Sequence, residues 1–129
     1  MTKPTVVGGI GQIHVGAQDI RRAVAFYRDV LGLPLLFEVP DQNMAFFDCG
    51  GVRLYLSEDA SEAFPSHPLI YYHTPDINAA CAAIAAHGVS FEREPHVVHR
   101  TPEMELWMAG FRDSEGNFIH LMSEVALSA

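Results

Sequence analysis

Apolar and polar positions follow two periods along this chain, and the switches between them divide it into elements. Ile10–Ala17 predicts a short strand. Asp19 then caps a helix that places Ile20, Ala23, Val24, Tyr27, Val30 and Leu31 on one face, and Gly32 ends it. After Leu33-Pro34 the period returns to two: Leu35–Val39, Met44–Asp48 and Val52–Ser57 predict strands, the last with Val52, Leu54 and Leu56 alternating. Cys49-Gly50-Gly51 supplies the hairpin turn between the last two. The order is βαβββ.

The same order then recurs. Leu69–His73 predicts a strand, and Asp76 opens a helix with Ile77, Ala80, Cys81 and Ile84 inward, closed by Gly88. Strands follow over Val89–Arg93, Glu105–Arg112 and Asn117–Met122, with Asp113-Ser114-Glu115-Gly116 turning the chain between the last two. Asp19, Ile20, Ala23, Val24 and Tyr27 fall on Asp76, Ile77, Ala80, Cys81 and Ile84 at a constant offset of 57. Leu54 to Glu58 fall on His120 to Glu124 at an offset of 66, so the second copy carries about nine extra residues. These are assigned to residues 94–104, a long loop bordering a cavity and holding His96, His99 and Arg100. The expected organisation is a first module over 1–57, a polar, proline-punctuated linker over 58–68 and a second module over 69–129. The fold class is α+β: two paired βαβββ modules forming a curved eight-stranded mixed sheet with helices outside. A duplication implies pseudo-twofold geometry, and the surface between the copies is the natural place for a ligand.

Composition narrows the classes. The chain has 129 residues, 49% of them hydrophobic, enough for one packed core. Its net charge is −8, with residues 1–40 at +1, 41–68 at −4 and 69–129 at −5. No basic stripe is present to neutralise phosphates, which argues against nucleic-acid binding. No apolar run approaches bilayer length and no signal-like segment is visible, so a cytoplasmic protein without membrane contact is expected. Cys49 and Cys81 are too few for a disulfide framework and read as reduced packing residues.

Asp19 followed by Phe26-Tyr27 and Leu31-Gly32-Leu33, with Asp113-Ser114-Glu115-Gly116-Asn117 leading into a terminal strand, resembles the vicinal oxygen chelate superfamily. That superfamily includes glyoxalase I, extradiol dioxygenases and the fosfomycin and bleomycin resistance proteins. The resemblance covers about Ile10 to Glu124 and is specific for fold; its members share architecture and not chemistry. In the metal-using relatives one ligand lies on the first strand and one on the last strand of each module. By spacing, the resemblance puts these positions on Gln12, Leu69, Leu54 and His120. Gln12 and His120 can bind a metal, Leu54 and Leu69 cannot, and catalytic metals usually take about three protein ligands. One divalent ion (Zn, Ni, Fe or Mn) held by Gln12 and His120 is therefore a degenerate site. A shifted centre built from His14, His73 and His120 is the chemical alternative, since neutral imidazole binds such metals.

Strand parity sets the other candidates. His14 shares a face with Gln12, and Tyr71 and His73 share a face with Leu69. His14 and His120 are the candidate acid–base pair, weighed against ordinary buried histidines bonded to a neighbour. Tyr71, His73 and Trp107 are candidate substrate contacts, with packing (Tyr71, Trp107) and a solvated strand end (His73) as the plainer readings. Arg100, with His96 and His99, has the chemistry to grip a carboxylate or to be a polar loop. Three functions follow from the resemblance. One is a glyoxalase-type lyase or isomerase acting in a cup between the modules. Another is a bleomycin-resistance-like binder that sequesters a cationic or aromatic ligand without metal. The last is a metal-free lyase or isomerase. A small-molecule partner and a homodimer whose modules complete each other's cups are expected in each case.

Overall fold

The structure is a computed structural model that describes residues 10–58 and 68–127. All but the two ends of the expected linker lie outside the described residues. Along the chain run β1 (Gln12–Gly16), α1 (Ile20–Ala25) with a π-helical turn over Phe26–Val30, β2 (Leu35–Val39), β3 (Met44–Cys49) and β4 (Val52–Ser57). The second module follows with β5 (Ile70–His73), α2 (Ile77–Ala85), β6 (Phe91–Arg100), β7 (Met104–Arg112) and β8 (Phe118–Ala126). This is the paired βαβββ architecture, and its eight strands divide into two four-stranded mixed sheets, ordered β1-β4-β3-β2 and β5-β8-β7-β6. In each sheet the module's first strand runs parallel to its last, and the other pairs are antiparallel.

Local chemistry accounts for the helix positions. The Asp19 carboxylate accepts from the Arg21 and Arg22 N–H groups at 3.1 and 3.2 Å, and Asp76 accepts from Ala79 N–H at 3.1 Å. Each satisfies donors that the first turn leaves orphaned. Gly32 and Gly88, both at positive φ, end the helices where a side chain would be strained.

The core is one cluster serving both modules. Val15, Ala45, Phe47, Leu54 and Leu56 meet Ala109, Phe111, Ile119 and Leu121, with the inward faces of α1 and α2 packed among them. Phe47 and Phe111 are fully buried, which is worth roughly 3 kcal/mol each in area removed from water. Phe26, in the π-helical turn after α1, reaches the second module, with its ring centroid 6.5 Å from that of Phe111.

Two expectations are corrected. Residues 94–104 are not a long loop: β6 runs on to Arg100, and only 101–103 turn the chain into β7. Three register shifts along the β6–β7 ladder absorb the extra residues while backbone pairing continues. The strand equivalence is also offset by one. His14 lies opposite Tyr55 in the first sheet, as Tyr71 lies opposite His120 in the second. The counterpart of His120 is therefore Tyr55, at an offset of 65, and Leu54 points into the core at 1% exposure. Leu54 cannot stand at a ligand position, because a one-residue step in a strand reverses the face.

A buried polar latch joins the modules. The β7–β8 turn lies against the start of α1, and Glu115, its side chain 1% exposed, collects five hydrogen bonds there. They come from the N–H groups of Gln18 and Asp19 at 2.7 and 2.8 Å, the Arg22 guanidinium at 2.8 and 3.1 Å, and the Ser114 hydroxyl at 2.8 Å. Beside it the Tyr27 hydroxyl donates to Asp113 at 2.7 Å, and the Asn117 amide donates to the Gly16 carbonyl at 3.0 Å. Burial and the neighbouring carboxylate both push the Tyr27 phenol upward, so it stays a donor.

Burial opposes ionisation of Glu115, but the hydrogen bonds from Arg22, Asp19, Ser114 and Gln18 outweigh it and hold the carboxyl at about 2, against 4.5 unfolded. A depressed carboxyl stabilises the fold fully above its unfolded value and loses that contribution as pH falls toward its folded value. Because Arg22 is half exposed, the contribution is set at about 2 kcal/mol. Glu115→Gln is expected to lower the urea unfolding free energy by about 2 kcal/mol at neutral pH. The gap between variant and wild type should close between about pH 4.5 and 2.

Candidate functional site

Away from the core, each sheet presents a face covered by neither α1 nor α2. On the second sheet one row runs Tyr71–His120–Gly110–Arg93 across β5, β8, β7 and β6, each residue the register partner of the next. The His120 ring is stacked on Tyr71, centroids 4.5 Å apart at 22°, and meets the edge of Phe118 at 4.4 Å and 86°. Gly110 makes room for that arrangement: a Cβ there would lie 2.7 Å from Phe118 Cζ. Over the row lies a cavity of about 260 Å³, lined by Tyr71, Arg93, His96, Met108, Phe118 and His120 among others.

The polar groups of this cavity are poised. His120 Nδ1 is buried and has no hydrogen-bond partner among the described residues. Burial first, and the Arg93 cation second, push the His120 imidazole below its ordinary value, so it is neutral at pH 7. His96 Nδ1 lies 2.7 Å from the Glu94 carbonyl, which can only accept, so Nδ1 carries a proton and, when the ring is neutral, Nε2 is the acceptor. Arg93 forms no ion pair among the described residues.

The equivalent row of the first sheet, His14–Tyr55–Phe46–Phe37, is filled by its own rings. Centroid separations are 4.7 Å for His14–Tyr55, 5.0 Å for Tyr55–Phe46 and 4.6 Å for Phe46–Phe37, and Arg53 sits over Phe46 at 5.9 Å. His14 Nε2 lies 2.6 Å from the Ser57 hydroxyl. Phe46 and Phe37 thus stand where the second module has Gly110 and Arg93.

The sequence candidates are distributed accordingly. Tyr71 and His120 share the cavity, whereas Gln12 and His14 belong to the first sheet, with Gln12 exposed and opposite Arg53. His73 is exposed at the end of β5 and lines a separate groove with Tyr72. Trp107 lies on the opposite face from His120, paired with Ser123, and its indole N–H donates to Glu105 at 3.2 Å. Arg100 is engaged by Glu105 at 2.5 Å and does not line the cavity. Arg93 and Phe118 were not among the sequence candidates. Arg93 was legible only as a basic residue between Glu92 and Glu94, and Phe118 as an aromatic two residues before His120.

The metal that the resemblance implies would need converging donors. Among the described residues no three of His, Cys, Asp and Glu converge. His120 is walled by Tyr71 and Phe118, and Gln12 faces a cation. Neither the Gln12 and His120 set nor the His14, His73 and His120 set is assembled among the described residues, and these donors do not fit a resident divalent ion.

Paired βαβββ modules with an open sheet face define the fold class, and comparison with known proteins gives the family. The family profile described as Glyoxalase/Bleomycin resistance protein/Dioxygenase superfamily matches residues 9–121. The chain belongs to that superfamily. It is 32% identical over 69 residues to the metallothiol transferase FosB of Staphylococcus haemolyticus, a match spanning 54% of this chain and 47% of that one. Among solved structures it resembles a lactoylglutathione lyase from Agrobacterium tumefaciens (25% identity, 92% and 96% of the two chains, TM-score 0.70). It also resembles TnmS3, an antibiotic-binding protein from Streptomyces sp. CB03234 (25% identity, 93% and 98%, TM-score 0.74).

The cavity's electrostatics are open to test. In an imidazole NMR titration His120 should titrate below the ordinary histidine range, and Phe118→Ala, which opens its edge to water, should move it back upward. A His120 signal titrating at the ordinary value in the wild type contradicts the burial assigned to it.

Proposed function

We propose that this protein binds a small planar ligand in the cup of its second module without a resident metal. The carrying observation is the cavity over Tyr71, His120 and Phe118: aromatic walls around a few poised polar groups, on a face the core leaves free. Rings offer stacking area, and the unpartnered His120 Nδ1 offers one directional hydrogen bond that a ligand supplies at no cost to the fold. Likeness to the antibiotic-binding TnmS3 supports a sequestering role. Likeness to the lactoylglutathione lyase fits less well, because among the described residues the donors for a divalent ion do not converge.

One observation favours a second reading. A neutral, low-pKa imidazole in an apolar wall is a competent base, so a metal-free lyase or isomerase using His120 is the enzyme form of the same site. In that reading His14, bonded to Ser57 on the other sheet, joins the chemistry only across a second copy of the chain. Phe37 and Tyr71 are 46% and 43% exposed on the two open faces, which supports a homodimer that covers them. Free cysteines Cys49 and Cys81 support a reducing, cytoplasmic setting. No described helix is long and apolar enough to cross a membrane.

Two measurements test this reading. Untagged protein should carry far less than one equivalent of transition metal by elemental analysis; a stoichiometric ion that disappears in His120→Ala overturns the metal-free reading. Sedimentation equilibrium should return the mass of two chains, and a single-chain mass at every concentration contradicts the dimer.

A further inference from the structure

Resting on the ligand-binding cup proposed above, we infer that its ligand is an anion: a planar aromatic carboxylate whose ring lies against Tyr71 and Phe118 and whose carboxylate is held by Arg93. Charge bookkeeping over the cavity points there. The chain carries net charge −8, yet among the described residues no Asp or Glu lines this cavity, and the one full charge they bring to it is Arg93. The flanking acids are accounted for. Glu92 is paired with Arg112 at 3.0 Å, and Glu94 lines a different groove against α2. Arg112 rests on Phe118, 4.9 Å from the ring centroid, and is already neutralised by Glu92. Among the described residues Arg93 therefore stands as a guanidinium without a counter-charge at the end of an aromatic row, and its planar fork matches a carboxylate in two parallel hydrogen bonds.

Pseudo-symmetry strengthens the inference. At the level of Arg93 and Gly110, the first module has Phe37 and Phe46, which stack on each other. One substitution pair removes two stacked rings from the row, with Phe118 folded over Gly110, and puts a cation at its end. The second hydrogen-bonding element is His96 Nε2, an acceptor in the neutral imidazole, where a hydroxyl beside the carboxylate would find a partner. About 260 Å³ is near the lower end of ligand-site volumes and suits one or two fused rings. The cationic ligand expected from overall acidity has no counter-charge here.

The experiment uses the full chain and three probes of one shape: 1-naphthoate, 1-naphthalenemethanol and 1-naphthylmethylammonium. Calorimetry gives affinities, and imidazole NMR reports whether the His96 and His120 signals move. The expected order is naphthoate tightest, at least about tenfold over the alcohol, with the ammonium weakest. Arg93→Gln, a change at an exposed position, should erase the preference for naphthoate over the alcohol. Equal binding of naphthoate and alcohol, or a preference that survives Arg93→Gln, overturns the anion assignment while leaving the cup as a binding site. If none of the three probes moves the His120 signal, the cup reading itself fails and this inference with it.

Discussion

One carboxylate fixes how the two halves of this protein meet. Glu115, at the turn of the second module's last hairpin, gathers the N-terminal N–H groups of the first module's helix and the guanidinium of Arg22. Each of those donors would cost free energy if buried unpaired, and so would the carboxylate. Satisfied together, they specify a single docking geometry. The latch is one-sided. By the offset of 65, the first module's matching turn is Asp48-Cys49-Gly50-Gly51, with glycine where Glu115 stands. There Asp48 only closes its own turn by accepting from Gly51 N–H at 3.0 Å. The duplicated halves have diverged into a part that grips and a part that is gripped.

The same asymmetry governs the open faces. With the core shared, each sheet has one face left over, and the two modules use it differently. The first packs it with its own rings from His14 to Phe37. The second removes a ring at Gly110, lets Phe118 fold across the gap, and so walls His120 on two sides. Its low proton affinity, free Nδ1 and neighbouring cation follow from that arrangement and need no strained backbone.

Much of this was legible in the sequence, and the failures have physical causes. Asp19, Gly32, Asp76 and Gly88 announce both helices because caps and αL ends are local chemistry. Strand parity was legible within each strand, so Tyr71 and His120 are correctly assigned to one face. The alignment between modules failed by one residue because Ser57-Glu58 and Ser123-Glu124 look alike. The structural equivalence is set instead at the hairpin aspartates, Asp48 and Asp113. β6 was cut short because bulges interrupt the alternation on which strand reading depends. Trp107 is on the far face for the parity reason that places Met108 and Gly110 near His120. The cavity itself was hidden, since it arises from a missing side chain. The Gln18, Asp19 and Arg22 partners of Glu115 lie more than ninety residues away, a separation that no local pattern reports.

Native-state hydrogen exchange at the Gln18 and Asp19 amides tests the latch most directly, because both donate to Glu115 and no intrahelical bond protects them. The account predicts that they exchange only with global unfolding, in step with the β7 and β8 ladder amides. Exchange at Gln18 and Asp19 through a local opening, while β7 and β8 remain protected, would mean that the modules are not held by this contact.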